Sequence, residues 1–358
     1  MEIILTHKIK LDPDRAQTEY FCKACGIARF AWNWGLSEWK KQYEAGLKPS
    51  GLSLKKEFNA LKEKEFPWTY EVTKYACQQP FIYLQKAFVN FFNGTAQYPQ
   101  FKKKGVHDSF YVGNDHFDID GRKIGFPKLG RVKMREYLRF AGEIISATVS
   151  RTAGMRFASV SVRINHTPAV SESRAVAGVD LGVKNLATVS TGETVGGPKA
   201  YRKLQKKLAE LQRSLSRKVR GSKNREKAKR KAARLHYRIS CMRQDALHKL
   251  TAGLTENYST VVIEDLNVRG MTGNEKLSKA VSDMGFYEFG RQLEYKMKMS
   301  GGKLIIADRW FPSTKKCSVC GNINAGITLS DRIFVCPSCG AEIDRDFNAA
   351  LNLKALAA

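Results

Sequence analysis

Apolar and polar residues alternate from Ile3 to Leu11 and stop at Asp12-Pro13, the period-two pattern of a strand closed by a turn signal. From 14 to 46 the period lengthens: Phe21, Cys25, Ala28, Ala31, Trp32, Gly35 and Trp39 recur at three- and four-residue spacing, which predicts a helix ended by the Gly46/Pro49/Gly51 loop. A further helix is predicted over about 73–93, with Tyr75, Phe81, Leu84, Phe88 and Phe91 on its apolar face. Between 109 and 165, short β-branched and aromatic runs alternate with turn signals such as Asp120-Gly121 and Ala153-Gly154. These predict a small antiparallel β-barrel that the strand at 2–11 would join, so that the helical block is an insertion within it.

The second half opens with two apolar runs about a glycine-containing turn, AVAGVDLGVKNLATVS. Leu204, Leu208, Leu211, Leu215 and Val219 then form one face of a helix, Gly221-Ser222 breaks it, and Ala228, Ala232, Leu235, Ile239 and Met242 resume the stripe as the second arm of a hairpin. STVVIEDLNV reads as a buried strand ending in acids, and 268–283, rich in Gly, Ser, Asn and Lys, is expected to be a mobile loop. A helix at 284–299 and a strand at 303–308 lead into a cysteine-rich segment and a last helix.

Composition changes the picture in one respect. The chain has 358 residues, and 61 Lys+Arg against 34 Asp+Glu leave +27, while 43% of residues are hydrophobic and 10% aromatic. That apolar content excludes a disordered basic tail and points to a folded protein with a polyanionic partner. A basic membrane-surface protein is the competing reading; charge spread over a globular chain favours nucleic acid. Residues 201–240 hold 16 Lys+Arg against two acids, Glu210 and Glu226, so the hairpin alone carries +14. No run approaches the ~18 consecutive apolar residues of a membrane span, and the first residues lack the apolar core of a signal peptide. The expected location is therefore cytoplasmic.

Four of eight cysteines fall as Cys317-x2-Cys320-x15-Cys336-x2-Cys339, the spacing of a zinc ribbon, with Gly321 and Gly340 supplying the positive φ that such knuckles favour. Four thiolates leave no open coordination position, so the expected Zn2+ is structural. Cys22-x2-Cys25 lies within a helical pattern with no second pair nearby and reads as buried thiol, as do Cys77 and Cys241 as core or incidental residues.

Three acids stand in unusual places. Asp180 lies inside the apolar run AVAGVDLGV, Glu264 ends VVIE, and Asp346 begins the last helix. Singly, each has an ordinary reading as a strand end or helix cap, but a buried carboxylate is costly unless paired or bound to a metal. Their order, strand, later strand, C-terminal helix, is that of RNase H-like nucleases, in which such acids hold two Mg2+ (or Mn2+) ions ~4 Å apart for phosphodiester hydrolysis. The chain has no G-x4-G-K-[S/T], which excludes a P-loop ATPase.

The motifs GIARFAWNWGL, YPQFKKKG, GVDLGVKNLATVS, HKLTAGL, VVIEDLNVRGM, FPSTKKCSVCG and CPSCGAEIDRDFNAALNL resemble, in order and almost end to end, those of the TnpB (OrfB) proteins of bacterial insertion sequences, relatives of type V CRISPR effectors. The resemblance implies an α+β multidomain protein. A β-barrel wedge domain (1–11 and 109–172) would be interrupted by a helical recognition domain (12–108). A RuvC-type nuclease domain (173–309 and 342–358) would carry the basic helices and a zinc ribbon (310–341). It implies an RNA-guided endonuclease that binds an element-derived guide RNA, one protein per RNA, and cuts double-stranded DNA beside a short motif, in a prokaryotic, nucleoid-associated setting. Carried over by position, the catalytic acids are Asp180, Glu264 and Asp346, with Asp344 and Asp265 as nearby alternatives. Lys74, Tyr75 and Gln78 would read the DNA motif, and Lys102, Lys103 and Lys104 would contact phosphates, unless both sets are ordinary exposed polar residues. A nuclease-silent RNA-guided regulator and a guide-independent transposase are the alternatives.

Overall fold

The computed structural model describes residues 2–168, 175–275, 277–328 and 330–357. The chain divides into two compact units, Met1–His166 and Thr167–Ala358. The boundary expected at 172/173 lies outside the described residues.

In the first unit, β1 (Glu2–Asp12) leads into α1 (Arg15–Glu44), whose start is fixed by a capping box between Asp14 and Gln17. The three- and four-spaced stripe of α1 is buried as predicted, including Phe21, Ala28, Ala31 and Trp39. It packs on α3 (Tyr75–Phe92), where Trp39 stacks on Phe88 with ring centroids 4.0 Å apart. Between them lies α2 (Gly51–Glu65), a helix that begins at the end of the Gly46/Pro49/Gly51 loop, in a stretch to which the sequence pattern assigned no element; Ser50 caps it, and Leu54 and Phe58 are its fully buried residues. Strands β2 (Ser109–Gly113), β3 (Asp118–Asp120), β4 (Lys123–Phe126), β5 (Gly130–Met134), β6 (Glu143–Thr152) and β7 (Met155–Asn165) complete the unit. With β1 they form one antiparallel sheet in the order β2-β6-β7-β1-β5-β4-β3. Its end strands β2 and β3 are not paired with each other among the described residues, so the sheet is open where a barrel was expected. Helices and sheet share one hydrophobic core.

The second unit is built on a mixed sheet. Strands β8 (Val176–Asp180), β9 (Ala187–Val189) and β10 (Thr194–Val195) are antiparallel neighbours, while β11 (Thr260–Glu264) and β12 (Lys303–Ala307) run parallel to β8, giving the order β10-β9-β8-β11-β12. The basic hairpin is α4 (Ala200–Ser216) and α5 (Lys223–Asn257), and Ala200, Leu208, Leu235 and Ile239 form its seam. Val219, assigned to that stripe from sequence, lies past the end of α4 and is 77% exposed.

The segment 268–283 corrects a further expectation. It contains α6 (Val268–Gly273) and most of α7 (Ser278–Met284), with Lys276 outside the description. The side chain of Asp283, buried on α7, accepts from the backbone amides of Tyr201 and Arg202 and so caps α4. Helix α8 (Phe286–Ser300) covers one face of the sheet through Phe289 and Leu293. A short hairpin of β13 (Ile333–Val335) and β14 (Glu342–Asp344) precedes α9 (Arg345–Lys354), which covers the other face through Leu353.

Candidate functional site

The alternation of β11 decides where the acids point. Val261 and Ile263 enter the core beneath α8, Val262 enters the core beneath α9, and Glu264 therefore faces the α9 side at the strand's C-terminal end. Strand β8 runs parallel in register, with Val179 opposite Ile263, so the next residue on each strand is an acid on the same face, Asp180 beside Glu264. Helix α9 arrives over that face with Asp346 in its first turn. In open sheets with parallel strands, ligands bind beyond the C-terminal strand ends, where these three residues lie.

The electrostatics follow from this convergence. Asp180 is 7% exposed, and its carboxyl is pushed up to about 8, first by burial and then by Glu264 and Asp346. Glu264 is also raised, by burial and by Asp346, against the lowering effect of a hydrogen bond from Ser313 Oγ to its Oε1. Asp346 is paired with Arg345, Nη2 to Oδ1 at 2.8 Å. Three carboxylates with one guanidinium form a site short of positive charge, the condition that a bound cation relieves. Their oxygens are not drawn round a single point: among the described residues, only the four cysteines form a group whose ligand atoms all lie within 4.8 Å of one another.

The two alternative acids have other partners. Asp344 caps α9, accepting from the amides of Asp346 and Phe347, each at 3.0 Å. Asp265 pairs with Arg309 at 2.6 Å.

The cysteine cluster could hold a metal ion. Sγ–Sγ separations of 3.8 Å (Cys317–Cys339) and 3.5 Å (Cys320–Cys336) are close to the ~3.8 Å edge of a tetrahedron with ~2.3 Å metal–sulfur bonds. The Cys339 amide approaches Cys336 Sγ at 3.5 Å, and that thiol is lowered to about 6, chiefly by this amide. By contrast, the buried Cys25 thiol is pushed up to about 12 by desolvation, and its neighbour Cys22 accepts from Arg156. Cys77 is likewise buried, whereas Cys241 is exposed.

In the first unit, Lys74 and Tyr75 open α3 and are both held by Asp115, at 3.0 and 2.5 Å, a partner that the sequence pattern does not reveal. Gln78 lines a cavity of about 440 Å3 together with Lys62, Thr73, Lys74, His116 and Lys128. Lys102, Lys103 and Lys104 are all exposed, and the ammonium of Lys102 lies 4.1 Å from the Trp32 ring centroid.

Sequence reasoning missed Ser313, Arg345, Asn348 and Asn352 as parts of the acid site's frame. The one available signal was the pair of asparagines at i and i+4 on α9, both buried. Asn348 Nδ2 and Asn352 Nδ2 both donate to the Lys316 carbonyl, at 2.7 and 2.6 Å.

Comparison with known proteins bears on the whole chain. It is 40% identical to a Streptomyces pristinaespiralis protein provisionally named an RNA-guided DNA endonuclease, over 82% of this chain and 74% of that protein. It is 33% identical to the Escherichia coli K12 protein InsQ, which carries the same provisional name, over 99% of this chain and 92% of that protein. The chain belongs to the OrfB (TnpB-like) family. The OrfB_IS605 model, described as a probable transposase, matches residues 159–275 of this OrfB protein, and a Cas12f1-like TNB domain model matches 286–353. A third OrfB model, described as a helix-turn-helix domain, matches 1–48, where this chain forms β1 and one continuous helix, α1. A solved Cas12f1–sgRNA–target DNA complex shares the mixed α/β fold, with a TM-score of 0.62 at 15% identity over 95% of this OrfB chain and 83% of that one. No helix among the described residues is long and apolar enough to cross a membrane.

Proposed function

We propose that this OrfB protein is an RNA-guided DNA endonuclease that hydrolyses phosphodiester bonds at Asp180, Glu264 and Asp346. The observation that carries the reading is the meeting of these acids at the C-terminal ends of β8 and β11 and the first turn of α9, in a chain of formal charge +27. The names of its relatives favour the same activity. The strand order, antiparallel β10-β9-β8 continued by parallel β11 and β12, supports an RNase H-like (RuvC-type) reading of the second unit.

The three carboxylates would hold Mg2+ or Mn2+, since they offer hard oxygen donors in a site deficient in positive charge. When bound, such ions supply an activated water and stabilise the leaving oxygen. The protein's own part is to hold Asp180 and Glu264 side by side on rigid strands, to keep Asp346 partnered by Arg345, and to exclude bulk water from Asp180. The four cysteines, with tetrahedral sulfur spacing, suit structural Zn2+.

The basic hairpin would lie against guide RNA or the guide–target duplex, where lysine and arginine neutralise phosphates. Lys74, Tyr75 and Gln78 would read the DNA motif, Gln78 from its cavity and the other two after exchanging Asp115 for base edges. Lys103 and Lys104 suit phosphate contacts better than Lys102, which is engaged with Trp32. The first unit would then combine the wedge and recognition functions, and a DNA-acting protein of this family would work in the bacterial cytoplasm with one protein per RNA.

The test is to purify the protein from cells carrying its element, sequence the co-purified RNA and offer plasmids matching that RNA's end. Guide-matched cutting that is lost in Asp180→Ala while binding persists is the expected result. Binding without cutting by the unaltered protein would instead mark a regulator, and guide-independent strand joining a transposase.

A further inference from the structure

We propose that Ser313 is a positioning residue for Glu264, and that the cysteine knuckle holds it in place through Asn348 and Asn352. The inference rests on reading the three acids as a divalent-cation site and adds the part of the protein that aims one of them. Ser313 lies six residues past β12 and is 3% exposed. Its Oγ donates to Glu264 Oε1, and among the described residues it is the one hydrogen-bond donor to that carboxylate.

Ser313 is itself tied down. Its carbonyl accepts from Asn352 Nδ2 at 2.8 Å, and the same nitrogen donates to the Lys316 carbonyl at 2.6 Å. Asn348 Nδ2 donates to that carbonyl too, at 2.7 Å, while Asn348 Oδ1 accepts from the Ser318 amide at 2.9 Å. Lys316 and Ser318 flank Cys317, which is 1% exposed within the sulfur cluster. A continuous set of hydrogen bonds therefore runs from the residues on either side of a cysteine ligand, across the two buried asparagines of α9, to the hydroxyl that orients Glu264. Asp346 is two residues before Asn348 on the same helix, so one frame serves two of the three acids.

A glutamate at the end of a strand has three side-chain torsions to fix before its carboxylate can serve a cation. A hydroxyl held in a buried loop removes that freedom, the role of the outer-shell partners whose loss lowers metal affinity about 10–100-fold. The metal at the cysteines would then be more than a local staple. By closing the 317–339 knuckle, it keeps the 313–318 loop seated on α9 and the Ser313 hydroxyl on Glu264.

The experiment uses the full chain and Mn2+ alone as the probe, with bound Mn2+ followed by electron paramagnetic resonance and folding by Tm. Ser313→Ala is expected to weaken Mn2+ binding about tenfold with little change in Tm, and Ser313→Thr, which keeps the hydroxyl, to restore it. If Ser313→Ala lowers Tm, the near-isosteric Ser313→Cys, a weak donor, takes its place. Stripping the cysteine-bound metal with a mercurial should weaken Mn2+ binding in the unaltered protein by a similar factor and add little in Ser313→Ala. Wild-type affinity in Ser313→Ala, equal losses in Ala and Thr variants, or fully additive effects of the mercurial would each overturn the proposal. Asp180→Ala and Glu264→Gln are the controls: if both bind Mn2+ normally, the cation-site reading itself fails, a result distinct from failure at Ser313.

Discussion

Gly178 on β8 and Ala350 on α9 touch backbone to backbone: a Cβ at position 178 would stand 2.0 Å from the Ala350 carbonyl oxygen and 2.4 Å from the Lys354 amide nitrogen. This approach is what brings the first turn of α9, with Asp346, over the end of the strand that carries Asp180. The glycine is required by space, since its φ is not among the positive values found elsewhere in the chain.

Gly178→Ala must push helix and strand apart, because the obstructing atoms are backbone and cannot rotate away. The expected cost is about 1–3 kcal/mol of stability, typical of an overpacked core, with a larger loss of nuclease activity than of RNA binding. Thermal denaturation and cleavage measured side by side check this. A variant with unchanged Tm and unchanged cleavage would show that the close approach is not needed.

Asp180 gives stability a pH dependence of definite sign. Its folded value of about 8 lies above the ordinary 3.8, so between these limits the folded chain binds more protons than the unfolded one. Stability from this group is therefore lost as pH rises from about 4 to about 8 when no divalent cation is present. Asp180→Asn should raise Tm in Mg2+-free buffer at about pH 8, by more than at about pH 5, while abolishing cleavage. Mg2+ should raise the wild-type Tm most at the alkaline end. An equal effect of the substitution at both pH values would contradict this account.

One zinc per chain is expected at the four-cysteine cluster. A mercurial should release it, and Cys317→Ser or Cys336→Ser should lower the zinc content, whereas Cys22→Ser should leave it intact. Zinc quantified with a colorimetric chelator decides the matter. Retention in both cluster variants would exclude this site.

Asp283→Ala removes the group that accepts the first amides of α4. Loss of such a cap costs about 0.5–2 kcal/mol. Hydrogen exchange should speed up at the start of α4 more than in α5, and equal protection in both proteins would argue against a capping role.

Neutralising Lys206, Lys207, Lys227 and Lys231, all exposed, should leave Tm nearly unchanged. RNA affinity should become less salt-dependent, the slope of log K against log salt shrinking by about 0.7 for each single-strand phosphate that is no longer neutralised. An unaltered slope would remove the hairpin from the RNA interface.

Much of this was legible in the chain because burial writes a period into it. The stripe Leu204, Leu208, Leu211 on one arm and Leu235, Ile239 on the other meets in the hairpin seam. The acids were legible for the opposite reason, as charges standing where the pattern called for apolar residues. Helix α2 was hidden because it opens at Gly51, amid turn-forming residues, and its fully buried side chains are only Leu54 and Phe58. Helices α6 and α7 were hidden by composition, since Gly270, Gly273 and Asn274 read as loop, while in fact the Asn267 side chain caps the first turn of α6. The role of Ser313 left no trace in any local pattern. It depends on a partner 49 residues earlier and another 39 residues later, and only the folded sheet and helix bring them together.

Asp180, Glu264 and Asp346 come from segments more than eighty residues apart, joined by a parallel strand pair and a helix laid across it. A chain still folding has no assembled acid set, whereas the basic hairpin proposed to meet RNA closes from two arms adjacent in sequence. Binding can therefore precede competence. The cell would meet an RNA-associating polypeptide first and a DNA-cutting one only once the longest-range pairings of the second unit have closed.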